Sequence, residues 1–405
     1  MSVSPQTLTE RILARASGRA DVRPGDEIWA TADRMIMNDS SGPRRLAGLV
    51  EELGGLWDAS RVVVASDHFV PASNLRHASI LRTTREWAKN EKIGAFYDYE
   101  GILHNLVLEH GLARSGQLVV GADSHSTTAG AAGAVAVAVG STELATVLAT
   151  GKVWLHVPES VRIDVDGKLP AWTTVRDITM RLFADLGAAF GLHRAVEIGG
   201  TWTASASTEE RLVLANQGCE MGAHNAVVEN GDKADRGAKY ALRHRIDAAT
   251  IVPMVACHPS PANVKPAAEV GETVDMAWIG SCAGGRREDL EAAARVLRGR
   301  KAVVPLLVTA ATRSIYKACL ASGALEALTD AGATVLPPGC GACAGVHGGV
   351  QGDGDRIIAT ATRNFPGRMG SREARVNLAS AYTVAASALA GRIVDPREYL
   401  EELAR

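Results

Sequence analysis

The residues Met276-Ala-Trp-Ile-Gly-Ser-Cys-Ala-Gly-Gly285 open a stretch that continues to Leu297. The apolar run Met276–Ile279 is typical of a buried strand, and the residues from 287 to 297 carry the pattern of a helix. A strand, a glycine-rich turn and a helix in this order form the unit from which parallel α/β sheets are built. Cys282 lies at the turn, which is where ligands bind in open α/β sheets.

Two more cysteines lie in a glycine-rich turn, in Gly339-Cys-Gly-Ala-Cys-Ala-Gly345, after a predicted strand at 333–337. Three soft thiolates that lie close together suit an iron–sulfur cluster in which one iron has no protein ligand. Such an iron is a Lewis acid that can bind a hydroxyl and a carboxylate. Cys340 and Cys343 alone could also be a redox pair or half of a zinc site, with His347 as a possible fourth ligand, although structural zinc usually has four protein ligands.

The remaining cysteines, Cys219, Cys257 and Cys319, lie in ordinary contexts and are not expected to be ligands. Further predicted strands end in polar groups, at Ser66-Asp67-His68 and at Gly121-Ala-Asp-Ser-His125. We also predict helices at 131–148 and 315–329. This alternation predicts an α/β fold with parallel sheets, and no internal repeat is evident.

Composition excludes several classes of protein. A chain of 405 residues is expected to form two or three domains. Its formal net charge of -2 leaves no basic stripe for nucleic acid, so none is expected as a partner. No apolar run approaches the roughly 20 residues of a membrane span, and the first residues lack a signal-peptide core. Six cysteines spread over the chain predict a reducing, cytoplasmic location.

Asp67-His68 and Asp123-Ser124-His125 are two carboxylate–imidazole units at predicted strand ends, and His104 is a third imidazole candidate. Imidazole titrates near neutral pH, and a carboxylate beside it orients the ring and stabilises its charged form. One such unit alone would indicate a capping aspartate beside a surface histidine. Two units together with His104 favour an active site. A serine nucleophile at Ser124 is disfavoured, since no Gly-x-Ser-x-Gly turn surrounds it.

Two arginines flank a tight turn in Arg363-Asn-Phe-Pro-Gly-Arg368. Because guanidinium groups bind carboxylates in a bidentate manner, this turn could hold a di- or tricarboxylic acid. A solvated loop is the alternative.

Taken together, these stretches resemble the aconitase superfamily, in the branch of the 3-isopropylmalate dehydratase and homoaconitase large subunits. The resemblance runs along nearly the whole chain and is carried by these motifs: Thr7-Leu-Thr-Glu-Arg-Ile-Leu13, Asp67-His68, Gly101-Ile-Leu-His104, Gly121-Ala-Asp-Ser-His125, Gly280-Ser-Cys282, Gly339-Cys-Gly-Ala-Cys343 and Arg363-Asn-Phe-Pro-Gly-Arg-Met-Gly-Ser371.

The resemblance implies three α/β/α domains around a central cluster site, at 1–155 with the Asp–His units, at 156–262, and at 263–405 with the cysteines and the arginine turn. It implies one [4Fe-4S] cluster on Cys282, Cys340 and Cys343. The implied reaction dehydrates a hydroxy di- or tricarboxylic acid and rehydrates it at the neighbouring carbon. The family's swivel domain, which carries the proton-abstracting serine, is absent here, so a small swivel-domain subunit is the expected partner.

Individual roles follow from the same resemblance. His68 with Asp67 would protonate the departing hydroxyl, and His104, Asp123 and His125 would support the cluster and its water. The implied contacts of the substrate are Ser124, Arg363 and Arg368. Glu197 would lie near the water on the open iron.

Two departures from the family pattern bear on substrate choice. Ala283-Gly284 stand where the family has Thr-Asn, and Thr362 stands where it has Asn. Because polar groups beside a carboxylate site are lost, an altered substrate is the simplest expectation. The alternative functions are a non-catalytic cluster-bearing regulatory or RNA-binding protein and, less favoured, a zinc-binding structural protein.

Overall fold

The computed structural model describes residues 4–400, and the predicted domains 1–155 and 263–405 extend beyond that range. Within it the chain forms three sheets built mainly of parallel strands, together with a two-stranded antiparallel ribbon, Glu27–Thr31 with Lys152–His156. This is the α/β class that the sequence predicts. Among the described residues no helix combines the length and the apolar character that crossing a membrane requires.

The first sheet has five parallel strands, and the earliest of them in the chain lies at its centre. Apart from the half-buried edge strand Ala95–Asp98, its strands are buried on both faces, which fits a sheet covered by helices on each side. In spatial order they are Ala95–Asp98, Val62–Ser66, Arg34–Asn38, Leu118–Gly121 and Val135–Ala138.

The second sheet has four parallel strands and lies between the other two in the sequence. Its core includes residues of the helices around it and also Ala283, which follows the strand Met276–Ile279 in the chain. In spatial order its strands are Asn225–Val228, Arg194–Gly199, Glu159–Asp166 and Leu242–Asp247.

The third sheet has seven strands, five of them parallel. Met254–Ala256 runs antiparallel to both of its neighbours, so this strand belongs to the third sheet although it precedes residue 262. The predicted domain boundaries remain predictions. In spatial order the strands are Val264–Pro266, Met254–Ala256, Arg375–Ala379, Arg356–Ala359, Met276–Ile279, Leu306–Thr309 and Ala333–Leu336.

The helices cover the sheets with amphipathic faces, and several begin at a side-chain cap such as Thr7 or Thr174. The α-helices are Leu8–Ser17, Pro43–Glu52, Leu75–Asn90, Leu103–Glu109, Ser141–Thr150, Val175–Leu186, Thr201–Ser205, Thr208–Asn216, Arg287–Leu297, Arg313–Ala321, Ala324–Asp330, Ala381–Ala390 and Arg397–Leu400. Short 3₁₀ turns occupy Ala59–Arg61, Ser124–Ala132, Ala248–Thr250, Ala267–Glu269 and Gly341–Ala344.

Two predicted helices are wrong in detail. The segment 131–148 holds the strand Val135–Ala138 before the helix Ser141–Thr150, since valine and alanine alternate there with the period of a strand. The segment 315–329 is divided into two helices at Gly323, whose φ of 71° is left-handed. Glycine adopts this conformation without strain, and it ends the first helix.

The first and third sheets share one topology. In each, the earliest strand is central among the parallel strands and is flanked by the second and the fourth. Two neighbouring strands whose connections leave in opposite directions open a crevice at their carboxyl ends, and ligands bind there. In the first sheet this crevice lies beside Asn38 and Asp123, and in the third beside Cys282 and Arg363. The two crevices face each other. Asn105, in the helix Leu103–Glu109 beside the first sheet, donates a hydrogen bond to the Cys282 carbonyl at 3.1 Å.

Candidate active site

The three predicted ligand cysteines line one enclosed cavity between the facing crevices. Cys282 and Cys343 are buried, and Cys340 is nearly so. The other residues that line this cavity are His68, Ile102, His104, Asp123, His125, Ser281, Ala344 and Arg368. The structure thus brings the three cysteines together with His68, Asp123, His125 and one of the two predicted arginines, Arg368. The roles assigned to these residues remain predictions.

Each of the three sulfurs has one nitrogen neighbour. Asn216 Nδ2 lies 3.1 Å from Cys282 Sγ, and Arg368 Nη2 lies 3.1 Å from Cys343 Sγ. His68 Nδ1 lies 3.8 Å from Cys340 Sγ. Burial raises the pKa of Cys340 to about 12 and that of Cys282 well above the usual thiol value, so uncharged thiols dominate without a cation. A metal centre bound by thiolates would lower those pKa values.

The Asp67–His68 unit is held in place by hydrogen bonds on both oxygens of Asp67. Asp67 Oδ1 lies 2.6 Å from His68 Nδ1, and its other oxygen accepts the Leu103 backbone N–H at 2.9 Å. Burial alone would lower the pKa of His68, but the sulfur of Cys340 and the carboxylate of Asp67 together hold it well above the usual value. Both neighbours therefore favour the protonated form of the ring.

A second carboxylate, Asp39, supports the same turn. It accepts the backbone N–H groups of His68 and Phe69, each at 3.1 Å. Its pKa is raised to about 7, first by burial and then by the neighbouring Asp67. Asp39 was not selected from the sequence, although it follows a buried strand as the predicted site aspartates do.

Asp123 joins two histidines. His104 Nε2 lies 3.0 Å from Asp123 Oδ1, which also accepts the backbone N–H of His125 at 2.8 Å. Asn38 donates to the other carboxylate oxygen at 3.0 Å. Burial would raise the pKa of Asp123, but His104 and His125 outweigh it and hold the pKa well below its usual range. The carboxylate is thus a fixed negative charge in the wall of the cavity.

Glu220 is a buried residue that the sequence analysis missed. Its Oε1 lies 3.1 Å from His125 Nε2 and 2.6 Å from Arg363 Nε. Arg363 also donates through Nη2 to Ser124 Oγ at 3.0 Å and to Cys219 Sγ at 2.7 Å. The available signal was the spacing of Asn216 and Glu220 around a glycine, at the end of the helix Thr208–Asn216, which resembles the other glycine-rich site segments.

Glu197 is placed elsewhere, contrary to its predicted position near the open iron. This fully buried carboxylate accepts the backbone N–H groups of Leu8 at 3.2 Å and Thr9 at 2.7 Å. It also accepts the hydroxyl of Tyr240 at 2.8 Å. Glu197 therefore fastens the first helix to the second sheet, since a carboxylate at a helix N-terminus satisfies otherwise unpaired N–H groups.

The residues that depart from the family pattern are chain neighbours of predicted site residues, Ala283 and Gly284 after Cys282 and Thr362 before Arg363. Ala283 packs into the core of the second sheet. A Cβ on Gly284 would lie 2.4 Å from Thr360 Cβ, so Thr360 fills the space that a side chain there would need. The hydroxyl of Thr362 is buried without a hydrogen-bond partner among residues 4–400.

Known proteins are similar to this chain over most of its length. The sequence model of the Aconitase family (aconitate hydratase) matches residues 10–234 and 263–391. The 3-isopropylmalate dehydratase large subunit 1 of Methanopyrus kandleri is 41% identical and aligns with 98% of this chain and 100% of its own length. The probable methanogen homoaconitase large subunit of Methanosarcina mazei is 42% identical over 86% of this chain and 93% of its own.

A solved structure has the same fold. The holo-form of Thermococcus kodakaraensis aconitase X superimposes with a TM-score of 0.55, covering 85% of this chain and 88% of that one. The two sequences are 14% identical, so the likeness concerns the fold alone.

Proposed function

The chain belongs to the aconitase family, and from that premise we propose that it is the large subunit of a hydro-lyase. It isomerises a hydroxy di- or tricarboxylic acid of the 3-isopropylmalate or homocitrate kind by removing water and adding it back at the neighbouring carbon. The names of two relatives support this class of substrate. The observation that carries the proposal is the single cavity lined by three cysteines and by members of both Asp–His units.

Cys282, Cys340 and Cys343 would hold one [4Fe-4S] cluster. When bound, the cluster would supply a Lewis-acidic iron with an open coordination position. The residues present fit such a group, because three thiols converge on one cavity. His104 Nδ1 and Arg368 Nε, both on lining residues, are buried without a partner among the described residues. Polar atoms of this kind are normally satisfied by water or by a ligand.

His68 acts as the general acid. It gives its proton to the hydroxyl of the substrate, so that the hydroxyl leaves as water while the electrons of the neighbouring C–H bond form the double bond. Burial would lower the pKa of His68, but Cys340 and Asp67 raise it, and a raised pKa favours the protonated ring that a general acid requires. Asp67 fixes the ring, and in the addition step the neutral ring takes a proton from the incoming water as its hydroxide adds to carbon, which restores the acid.

The two arginines orient the substrate. Arg368 lines the cavity, and Arg363 stands next to it with its guanidinium held by Glu220. Guanidinium groups bind carboxylates in a planar, bidentate geometry, which would fix a polycarboxylic acid relative to His68. Ser124, already 3.0 Å from Arg363, adds a hydroxyl on the same side.

A separate small subunit supplies the base that takes the C–H proton. The support is that the relatives are themselves named large subunits. The first and third sheets, with their facing crevices, provide the acid and the carboxylate contacts, and the partner would provide the remaining group across the cavity.

The test is reconstitution of the chain with iron and sulfide under anaerobic conditions, together with the small subunit, followed by assays of 3-isopropylmalate, homocitrate and smaller alkylmalates. We expect about four irons and four sulfides per chain, and turnover of one of these acids. Cys282→Ser removes both, whereas Cys319→Ser, at a buried position of the helix Arg313–Ala321, leaves both unchanged. A fully loaded complex that turns over none of the acids would refute the proposed function.

A further inference from the structure

Three arginines lie together at the surface beside the turn that carries His68. Arg44 and Arg45 are in the first turn of the helix Pro43–Glu52, and Arg76 is in the first turn of the helix Leu75–Asn90. Arg45 and Arg76 are exposed, and Arg44 is half-buried. The three are called the basic patch below. Burial first, and then the like charges of Arg45 and Arg76, lower the pKa of Arg44.

The basic patch contacts the turn that carries His68 and Phe69, called the catalytic turn here. The guanidinium carbon of Arg44 lies 5.6 Å from the centre of the Phe69 ring, and Phe69 is the residue after His68. The same ring lies 4.6 Å from that of His77, which follows Arg76. Arg44 therefore packs on the residue next to the proposed acid, and Arg76 is the chain neighbour of a histidine that contacts the same ring.

The patch is not neutralised by the protein. Within residues 4–400 no carboxylate forms an ion pair with Arg44, Arg45 or Arg76, although Arg44 and Arg45 both donate to the Ser40 carbonyl. Other arginines of the helix Leu75–Asn90 are paired, Arg82 with Glu86 and Arg85 with Asp98. Asp39, the carboxylate near Arg44, is engaged by the backbone of the catalytic turn. Three like charges repel one another, and an anion would relieve that repulsion.

We infer that the basic patch captures the polycarboxylate substrate electrostatically and guides it into the cavity. This inference rests on the proposed function. The chain has a net charge of -2, so a dianionic substrate meets a weakly repulsive molecule except where a local positive field exists. A field of this kind at the mouth of a site raises the association rate and weakens as salt is added.

The experiment compares the reconstituted complex of wild-type chain with the variant R44Q/R45Q/R76Q, at ionic strengths from low to high. We expect kcat/KM of the variant for its hydroxy acid to fall about tenfold at low ionic strength, with kcat unchanged and the difference lost at high salt. The control variant R236Q/R298Q/R392Q removes three exposed arginines outside the patch and so changes net charge equally. We expect less than a twofold effect from it.

Two results overturn the inference. One is a salt dependence of kcat/KM that is the same in wild type and patch variant. The other is loss of the small subunit from the variant in size-exclusion chromatography, which would make the patch a docking surface for protein. If the wild-type complex turns over none of the acids, the proposed function fails separately. In that case the equilibrium binding of unreactive tricarballylate tests capture by the basic patch. Capture requires a higher Kd for the patch variant than for wild type, and an unchanged Kd for the control variant.

Discussion

The backbone N–H of Cys340 donates to the carbonyl oxygen of Asp67 at 3.0 Å. The loop that carries one proposed cluster ligand is thereby fastened to the turn that carries the proposed acid. Gly339 allows the two segments to come this close. Its φ of 149° is a conformation that residues with a side chain rarely adopt, and a Cβ there would lie 3.1 Å from the same carbonyl oxygen. The backbone bond therefore fixes the position of the cysteine loop relative to the turn that carries the proposed acid.

Asp67→Asn tests the orientation of His68. The amide cannot accept both the Leu103 N–H and a proton from the ring as the carboxylate does, so His68 loses its fixed position and its preference for the charged form. We expect kcat to fall by about 10²-fold with iron and sulfide content unchanged. Asp330→Asn, at an exposed helix end, is the control. Full activity of Asp67→Asn at equal cluster content would show that His68 is not the acid.

Glu197→Gln separates a structural carboxylate from a catalytic one. The change removes a charge that accepts two helix N–H groups and the Tyr240 hydroxyl. We expect unfolding by urea to become easier by about 1–3 kcal/mol, with kcat intact at temperatures where the chain remains folded. Glu220→Gln should give the opposite pattern, a loss of kcat/KM through Arg363. A specific loss of kcat in Glu197→Gln would restore it to the site.

The strand–turn–helix units and the three cysteines were predictable because each depends on local sequence. Met276–Ile279 is an apolar run and its helix follows at once, so nothing distant is needed to recognise them. The strand Val135–Ala138 was mistaken for helix since alanine suits both, and only pairing with Leu118–Gly121 decides. The shared topology of the first and third sheets leaves no trace in the sequence, because strand order is a property of long-range pairing.

The residues that the sequence analysis missed are those whose meaning depends on a partner far away in the chain. Glu220 becomes a site residue only through Arg363, 143 positions later. Asp39 does so through the turn 29 positions later. Glu197 shows the reverse, since a carboxylate within a strand resembles a site residue until the first helix is seen to begin on it.

Glu209 makes stability depend on pH. Its pKa is raised from 4.5 to about 7, mainly by burial, and the nearby carboxylates Glu288 and Asp289 add to this. The folded chain thus holds this proton more tightly than the unfolded chain. The resulting stabilisation is complete below pH 4.5 and is lost as the pH rises to about 7.

At pH 8, Glu209→Gln should therefore be more stable than wild type by roughly 1 kcal/mol, after allowance for partial solvent exposure. At pH 4.5 the two chains should be equally stable. Urea unfolding across this pH range measures the effect. Glu52→Gln, on the exposed side of another helix, should show none of it. Parallel pH profiles of Glu209→Gln and wild type would contradict the assignment.

Gly284→Ala tests whether the departure from the family pattern beside Cys282 is built into the packing. A Cβ at this position would meet Thr360 Cβ at 2.4 Å and the Thr360 carbonyl at 2.5 Å, and Thr360 Oγ1 in turn accepts the Gly280 N–H at 2.8 Å. Because that loop carries Cys282, we expect a loss of about 1–3 kcal/mol in stability together with a lower iron content.

Gly48→Ala is the matched control, since a Cβ there meets no atom within 4 Å and the residue lies in the helix Pro43–Glu52. It should be neutral or stabilising by up to about 1 kcal/mol. Gly284→Asn, the residue of the family pattern, should be worse than Gly284→Ala, because the larger side chain has even less room. If Gly284→Asn instead folds with full iron content and turns over 3-isopropylmalate faster than wild type, then Gly284 sets the substrate through a lost polar contact and not through packing against Thr360.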